Sequence, residues 1–496
     1  MDNTFDKKHG HELLKKPQFF FGMLLIMSLL GYVVAKGGVV SGIGILAMPI
    51  VISYVYLIFA IPNTGIIGIY ILNFVAIGIV RYVKGVPLGL TIDAQFLLIY
   101  LALFFKTFFH KIPWANAKND LVLLAAIWYG YALVQLVNPE AASRIAWFYA
   151  MRSVSLYMLF TVPLIFILFH KKKDLELLFK IWAILSILAT IKGIAQKMFG
   201  VDAFEQAWLD AGNASTHLLF GKLRVFSFYS DAGQFGAAQG HAGVVFILLA
   251  LSQKRSRRLK IFYIIAGVLG LYGLMISGTR GAIAVPVMGF ALYTVLQKKT
   301  KLVLMGAIMG ISVLVFFKYT TIAQGNPTVR RMRTAFDPNN PSLQVRLANQ
   351  RKLKSYLASR PLGGGIGSAG NWGLRFTPHT FLANTATDSW YVMIWAEQGV
   401  IGLWLHLFIL FYILTKSVYM IMFKLKDEEI KGMLSPLVCG FFGIMAASYG
   451  NGVLGQMPTG LLIYSSMGYL FLGTKLEKEN LAIKAKEQLE LAQCNK

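Results

Sequence analysis

The chain has 496 residues, of which 56% are hydrophobic and only 14% charged, and its mean hydropathy is +0.60. No water-soluble fold hides that much apolar surface, so a bilayer must be the solvent for most of it. The formal net charge of +26 invites nucleic acid, but the basic residues fall in short clusters between apolar runs, as in loops held at the inner face of a membrane. That distribution argues against a nucleic-acid partner.

In chain order, a basic segment 1–18 precedes a first apolar run, Phe19 to Ala35. No small-residue cleavage site follows that run, so it reads as a retained helix. Further runs at 39–61, 64–80, 91–107, 120–137, 154–170, 175–197, 233–252, 261–277, 281–297, 302–318, 391–415, 433–450 and 459–474 predict membrane spans. They are continuously apolar and do not alternate, which predicts helices and not a barrel. The expected fold is an all-α integral membrane protein, a polytopic bundle of about 12–14 transmembrane helices with one long external loop containing short helices. Its parts are a bundle over 19–318, the external basic loop 319–390, the C-terminal transmembrane helices over 391–474 and a basic cytoplasmic tail 475–496. Cys439, inside an apolar run, and Cys494, near the end, show neither metal-site nor disulfide spacing.

The basic clusters Lys171–Lys173, Lys254–Arg258 and Lys298–Lys301, together with 416–432 and the tail, set the expected orientation. With these inside, 138–153, 198–232, the turn Ser277–Arg280 and the stretch 319–390 lie outside. Arg81 and Lys84 then fall on the external side, against the rule. Between Tyr319 and Asp388 nine basic residues face two acidic ones, a net charge of +7 that calls for anionic lipid headgroups or a phosphorylated substrate. Within it, Ser342 to Ser359 reads as a helix with Ser342 as N-cap and Pro361 as stop. Leu343, Leu347, Leu353 and Leu357 share one face, with Arg346 among them. That pattern suits either a helix lying on the membrane or an arginine aimed at a site against the bundle.

Gly365-x-Gly367-x-x-Gly370 copies a dinucleotide fingerprint by letter, but no strand precedes it, and a flexible turn is expected instead. Asp388 and Glu397 stand too far from other ligand-type residues for a metal site, and no nucleophile elbow or phosphate-binding loop is present. What remains is charge at outer helix ends. Arg280 sits in the tight turn Ser277-Gly278-Thr279-Arg280-Gly281, and Arg224 opens Arg224-Val225-Phe226-Ser227-Phe228, with Asp231 close by. Arginine in such positions is costly unless it is paired or functional.

These strings, in this order, resemble the O-antigen ligase and O-antigen (exopolysaccharide) polymerase superfamily. The resemblance continues through Arg346, Arg360-Pro361-Leu362-Gly363-Gly364-Gly365-Ile366-Gly367, Asp388-Ser389-Trp390-Tyr391 and Glu397-Gln398-Gly399-Val400-Ile401-Gly402-Leu403. It implies a metal- and cofactor-independent glycosyltransferase in the bacterial cytoplasmic membrane, its site facing the periplasm. The implied partners are an undecaprenyl-pyrophosphate-linked saccharide, an acceptor glycan or glycolipid, and membrane lipid. Arg224, Arg280 and Arg346 would then bind the carrier pyrophosphate, since guanidinium groups match such oxygens bidentately. The family usually carries His-Asn where this chain has Asp388-Ser389, so Asp388 is the expected base and His379 its competitor. The alternatives are a non-enzymatic transporter or flippase of lipid-linked sugars, or a structural subunit of an export machine. No internal repeat of the transporter kind is visible.

Overall fold

Glycine spacing builds the centre of the molecule. In the computed structural model, which describes residues 17–83, 88–219, 221–252, 256–325, 327–334, 337 and 339–494, the helix Ala232–Leu251 is the most enclosed. Its Gly243 meets Gly267 and Gly270 of the helix Arg257–Ser277, while Gly236 meets Ser277 and Gly273 meets Gln239. A Cβ at Gly270 would stand 2.8 Å from both Gln239 O and Gly243 N. Only glycine lets the two backbones approach so closely, a packing that lipid-embedded helices favour.

Around this pair the regular structure of the described residues is helical, apart from a two-stranded ladder of Leu218–Leu219 with Lys222–Leu223. The helices are α1 Pro17–Ala60, α2 Pro62–Ile79, α3 Leu88–Thr107, α4 Asp120–Val134, α5 Arg144–Ile167, α6 Lys172–Phe199, α7 Ala203–Trp208, α8 Ala232–Leu251, α9 Arg257–Ser277, α10 Ala284–Leu296 and α11 Thr300–Tyr319. Three short helices follow: α12 Pro327–Arg333, α13 Pro341–Leu357 and α14 Gly370–Phe376. Then come α15 Trp390–Tyr419, α16 Glu428–Ala447, α17 Thr459–Phe471 and α18 Gly473–Cys494. Among the described residues nine helices are long and apolar enough to cross a membrane. The expected spans at 281–297, 302–318 and 459–474 are shorter apolar stretches of helix. The two expected at 19–35 and 39–61 form α1, bent at Gly38, where φ is 64°. Large apolar side chains stay exposed along α1, α3 and α11, as lipid-facing surfaces require.

Contacts sort the loops to two ends. At one end Lys172 pairs with Glu429 and reaches Asn480 at 2.9 Å, Lys484 pairs with Asp427, and Lys298 donates to Met422 O. At the other end Arg81 is buried, its guanidinium 4.6 Å from the Trp208 ring and 4.3 Å from that of Phe226. It donates to Ser227 O at 2.7 Å and to Tyr229 O. Burial pulls its pKa down to about 10, against the pull of Glu205 and other acids. The arginine that broke the charge rule therefore staples the end of α2 to the 224–231 segment. Lys84, residues 1–16, Lys254 and Arg255 lie outside the described residues.

The segment after α11 differs from expectation in detail. α13 is capped by Asn340, whose Oδ1 accepts from Ser342 N at 3.1 Å, with Pro341 in the first turn. Proline fits that position because its missing N–H has no helical partner there. Leu353 and Leu357 are buried against Leu382, Val392 and Ala396, while Leu343 is 39% exposed. The C-terminal half of α13 thus packs on protein and does not lie on lipid.

Candidate functional site

The glycine turn after Pro361 is a close-packed joint and not a flexible one. Gly363, Gly365, Gly367 and Gly370 all have positive φ, and so does Gly399, which interrupts α15. A Cβ on Gly399 would stand 1.9 Å from Pro361 O, and one on Gly363 would stand 2.4 Å from Gly399 N. Gly364 N and Gly365 N donate to Ala396 O and Glu397 O at 3.0 and 2.8 Å, and Ala369 N donates to Glu397 Oε1 at 3.2 Å. Asn138 Nδ2 binds Leu362 O and Gly363 O from the other side. This joint ties the chain leaving α13 to the interruption of α15 at Gly399.

At the start of α15, Ser389 is the N-cap, accepting from Val392 N at 3.4 Å and donating to Ser448 O at 3.2 Å. Trp390 N donates to Ser448 O and Asn451 O. Asp388 is therefore not the cap. It sits one residue earlier with φ 53°, a left-handed conformation that aspartate tolerates better than most residues. Its Oδ2 lies 3.3 Å from Arg346 Nε, both side chains being more than a third exposed. Asn349 Nδ2, one turn along α13, donates to Ala386 O at 3.2 Å and holds the two stretches of chain together.

Arginines from three separate stretches lie around the turn Ser277–Gly281. A Cβ at Gly450 would lie 3.9 Å from Arg346 Nη1 and 3.8 Å from the Cα of Gly281, so Arg346 reaches the turn that carries Arg280. Arg280 Nη1 donates to Thr334 Oγ1 at 2.8 Å. On the other side of that turn Arg224 Nη2 donates to Thr279 Oγ1 at 3.2 Å, and its Nη1 to Thr216 O at 3.1 Å. Burial holds the Arg224 guanidinium below its usual pKa, Asp231 opposes this, and the like charge of Arg280 adds to it. Asp231 caps α8, accepting from Gln234 N at 2.9 Å.

His379 is not drawn into this group. It lies exposed on the turn after α14 and makes no hydrogen bond among the described residues. Asp231 is already close to Arg224 in the sequence, whereas Asn451 is a polar neighbour that the sequence does not single out. Asn451 lies in Gly450-Asn451-Gly452, a turn signal by composition, but its place beside Gly281, 2.4 Å from a Cβ built there, is visible only in three dimensions.

The fold and this cluster define a class: a multi-pass α-helical membrane protein with arginines and one carboxylate gathered at one end of the bundle. Residues 265–407 match the family model Wzy_C, described as O-Antigen ligase. A curated O-antigen polymerase of Salmonella muenchen is 30% identical over 189 residues, 37% of this chain and 44% of that protein. The chain thus spans less than half the length of this relative. The resemblance read from the motifs is borne out over the matched segment, which holds Arg280, Arg346, the glycine joint, Asp388 and Glu397. Arg224 precedes that segment and joins the cluster by contact alone.

Proposed function

We propose that this protein transfers or polymerises saccharides from an undecaprenyl-pyrophosphate carrier to a sugar hydroxyl, without a metal, at the external face of the bacterial cytoplasmic membrane. What supports this reading is that Arg224 binds Thr279 beside Arg280, and that Arg346, paired with Asp388, approaches the same turn next to Gly450. The acceptor oxygen attacks the anomeric carbon of the donor. The bond from that carbon to the phosphate oxygen breaks, and its electron pair leaves on the pyrophosphate. Guanidinium groups stabilise the charge that develops there. Asp388 takes the hydroxyl proton. The half-exposed pair of Arg346 with Asp388 is weakly held, so an incoming pyrophosphate competes for Arg346 and frees the carboxylate to act as base. His379 is the alternative base.

A transporter reading would draw on the interruption of α15 at Gly399 beside buried Glu397, since transporters use broken helices around their sites. Here the glycine joint fills the break, which favours chemistry at the helix ends.

Replacing Arg224, Arg280 or Arg346 with Lys keeps the charge and loses the planar fork. Each variant should reach the membrane and lose roughly 10- to 100-fold in turnover, the range expected for a charge-assisted hydrogen bond. Full activity in all three would remove the pyrophosphate role. The orientation is tested separately. Ser256→Cys, at the lysine-rich end, should resist an impermeant thiol reagent in intact spheroplasts and react after lysis. Labelling from outside would invert the topology.

A further inference from the structure

We infer that α14 is a membrane-interface anchor, which seats the segment between the glycine joint and Asp388 at the headgroup level of the bilayer. Trp372 and Phe376, one turn apart, have ring centroids 6.2 Å apart and planes within 16°. Tyr149 of α5 lies nearly parallel to both, at 5.0 and 5.6 Å. Arg375 lies 5.3 Å from the Phe376 centroid. The apolar surface continues outward: Leu374 is 51% exposed, as are Phe148 at 49% and Ile145 at 60%. Ile145 and Phe148 open a 24-residue apolar span, so their exposed faces look into lipid. Tyr149, next to Phe148, joins this surface to α14.

Tyrosine and tryptophan beside arginine, on the end of a span, is the composition of an interfacial belt. Leu374 and the outer edges of the rings enter the acyl boundary while the Arg375 guanidinium reaches the phosphates. The occupant is therefore the lipid headgroup region and not a second protein. α13 differs: its Leu353 and Leu357 pack on Leu382, Val392 and Ala396, and its Arg351, Lys352 and Lys354 are exposed charges. The inference does not depend on the glycan-transfer reading, only on the membrane class.

The test uses the full chain in nanodiscs of phosphatidylethanolamine and phosphatidylglycerol. Cys494→Ser is the background, since Cys439 is buried. Spin labels at Leu374→Cys and Lys354→Cys report collision with oxygen, which partitions into lipid, and with a water-soluble nickel chelate. The oxygen-to-nickel ratio should be several-fold higher at 374 than at 354. With no label present, Trp372→Phe should remove a measurable share of the tryptophan quenching by lipids brominated near the headgroup. Equal ratios at the two positions, or unchanged quenching, would overturn the anchor. Protection of the 374 label from nickel by soluble saccharide, with a low oxygen ratio, would make the rings a sugar platform instead and would also overturn it.

Discussion

Asp388→Asn should lower turnover by roughly two to four powers of ten while leaving donor binding largely intact. The geometry makes this a clean substitution. Asp388 has φ 53°, and asparagine accepts that conformation as readily as aspartate. The cap of α15 belongs to Ser389, so the change removes no capping bond. What it removes is the negative charge facing Arg346 at 3.3 Å and the capacity to take a proton. Asp388→His should recover part of the loss, because histidine also tolerates positive φ and imidazole can accept the proton from nearly the same position. His379→Ala should be mild. A turnover assay in lipid with donor binding measured separately reads all three. Near-normal Asp388→Asn beside an inactive His379→Ala would move the base to His379. An Asp388→Asn loss confined to binding would leave Asp388 as a mere partner of Arg346.

Gly399→Val should abolish function by a different route, through assembly of the site. Its φ of 68° strains any residue with a Cβ, and that Cβ would fall 1.9 Å from Pro361 O, a backbone atom that cannot swing aside. Strain and overpacking together cost about 2–6 kcal/mol, enough to part α15 from the glycine joint. The adjacent residue offers the control: Val400 is 43% exposed, and Val400→Ala should be nearly silent. Thermal unfolding in detergent and protease sensitivity near Arg360 measure the difference. A Gly399→Val protein of unchanged stability and activity would show that the joint does not hold the site together.

The positions of the spans were legible because the bilayer writes itself into hydropathy. The run expected at 64–80 is Pro62–Ile79, and that at 233–252 is Ala232–Leu251. Local chemistry was less legible. Ser342 looked like a cap, yet Asn340 caps and Pro341 occupies the first turn, since both residue types suit that stretch and only the turn geometry decides. The glycines after Pro361 looked flexible because composition registers the missing side chain and not the backbone it accommodates. Arg81 looked misplaced because the topology rule counts charge and knows nothing of the Trp208 and Phe226 rings that enclose it. The proximity of Arg224 to Arg280 and Arg346 could be guessed from the family's motif order. The contacts that produce it, through Thr279, Gly281, Gly450 and Asn451, join distant stretches of the chain and leave no periodic trace.

We propose that a lipid-linked saccharide is consumed at this arginine cluster. The most direct measurement of this is mass spectrometry of a reconstituted reaction. Purified protein in proteoliposomes would receive an undecaprenyl-pyrophosphate-linked saccharide, a metal chelator, and either a second lipid-linked repeat or a glycolipid acceptor. A lengthened or transferred glycan is expected, with one free undecaprenyl pyrophosphate released for each bond made, in wild type and not in Asp388→Asn. Donor that stays intact with both acceptors, while crossing from one leaflet to the other, would contradict this proposal and make the protein a carrier of lipid-linked sugar.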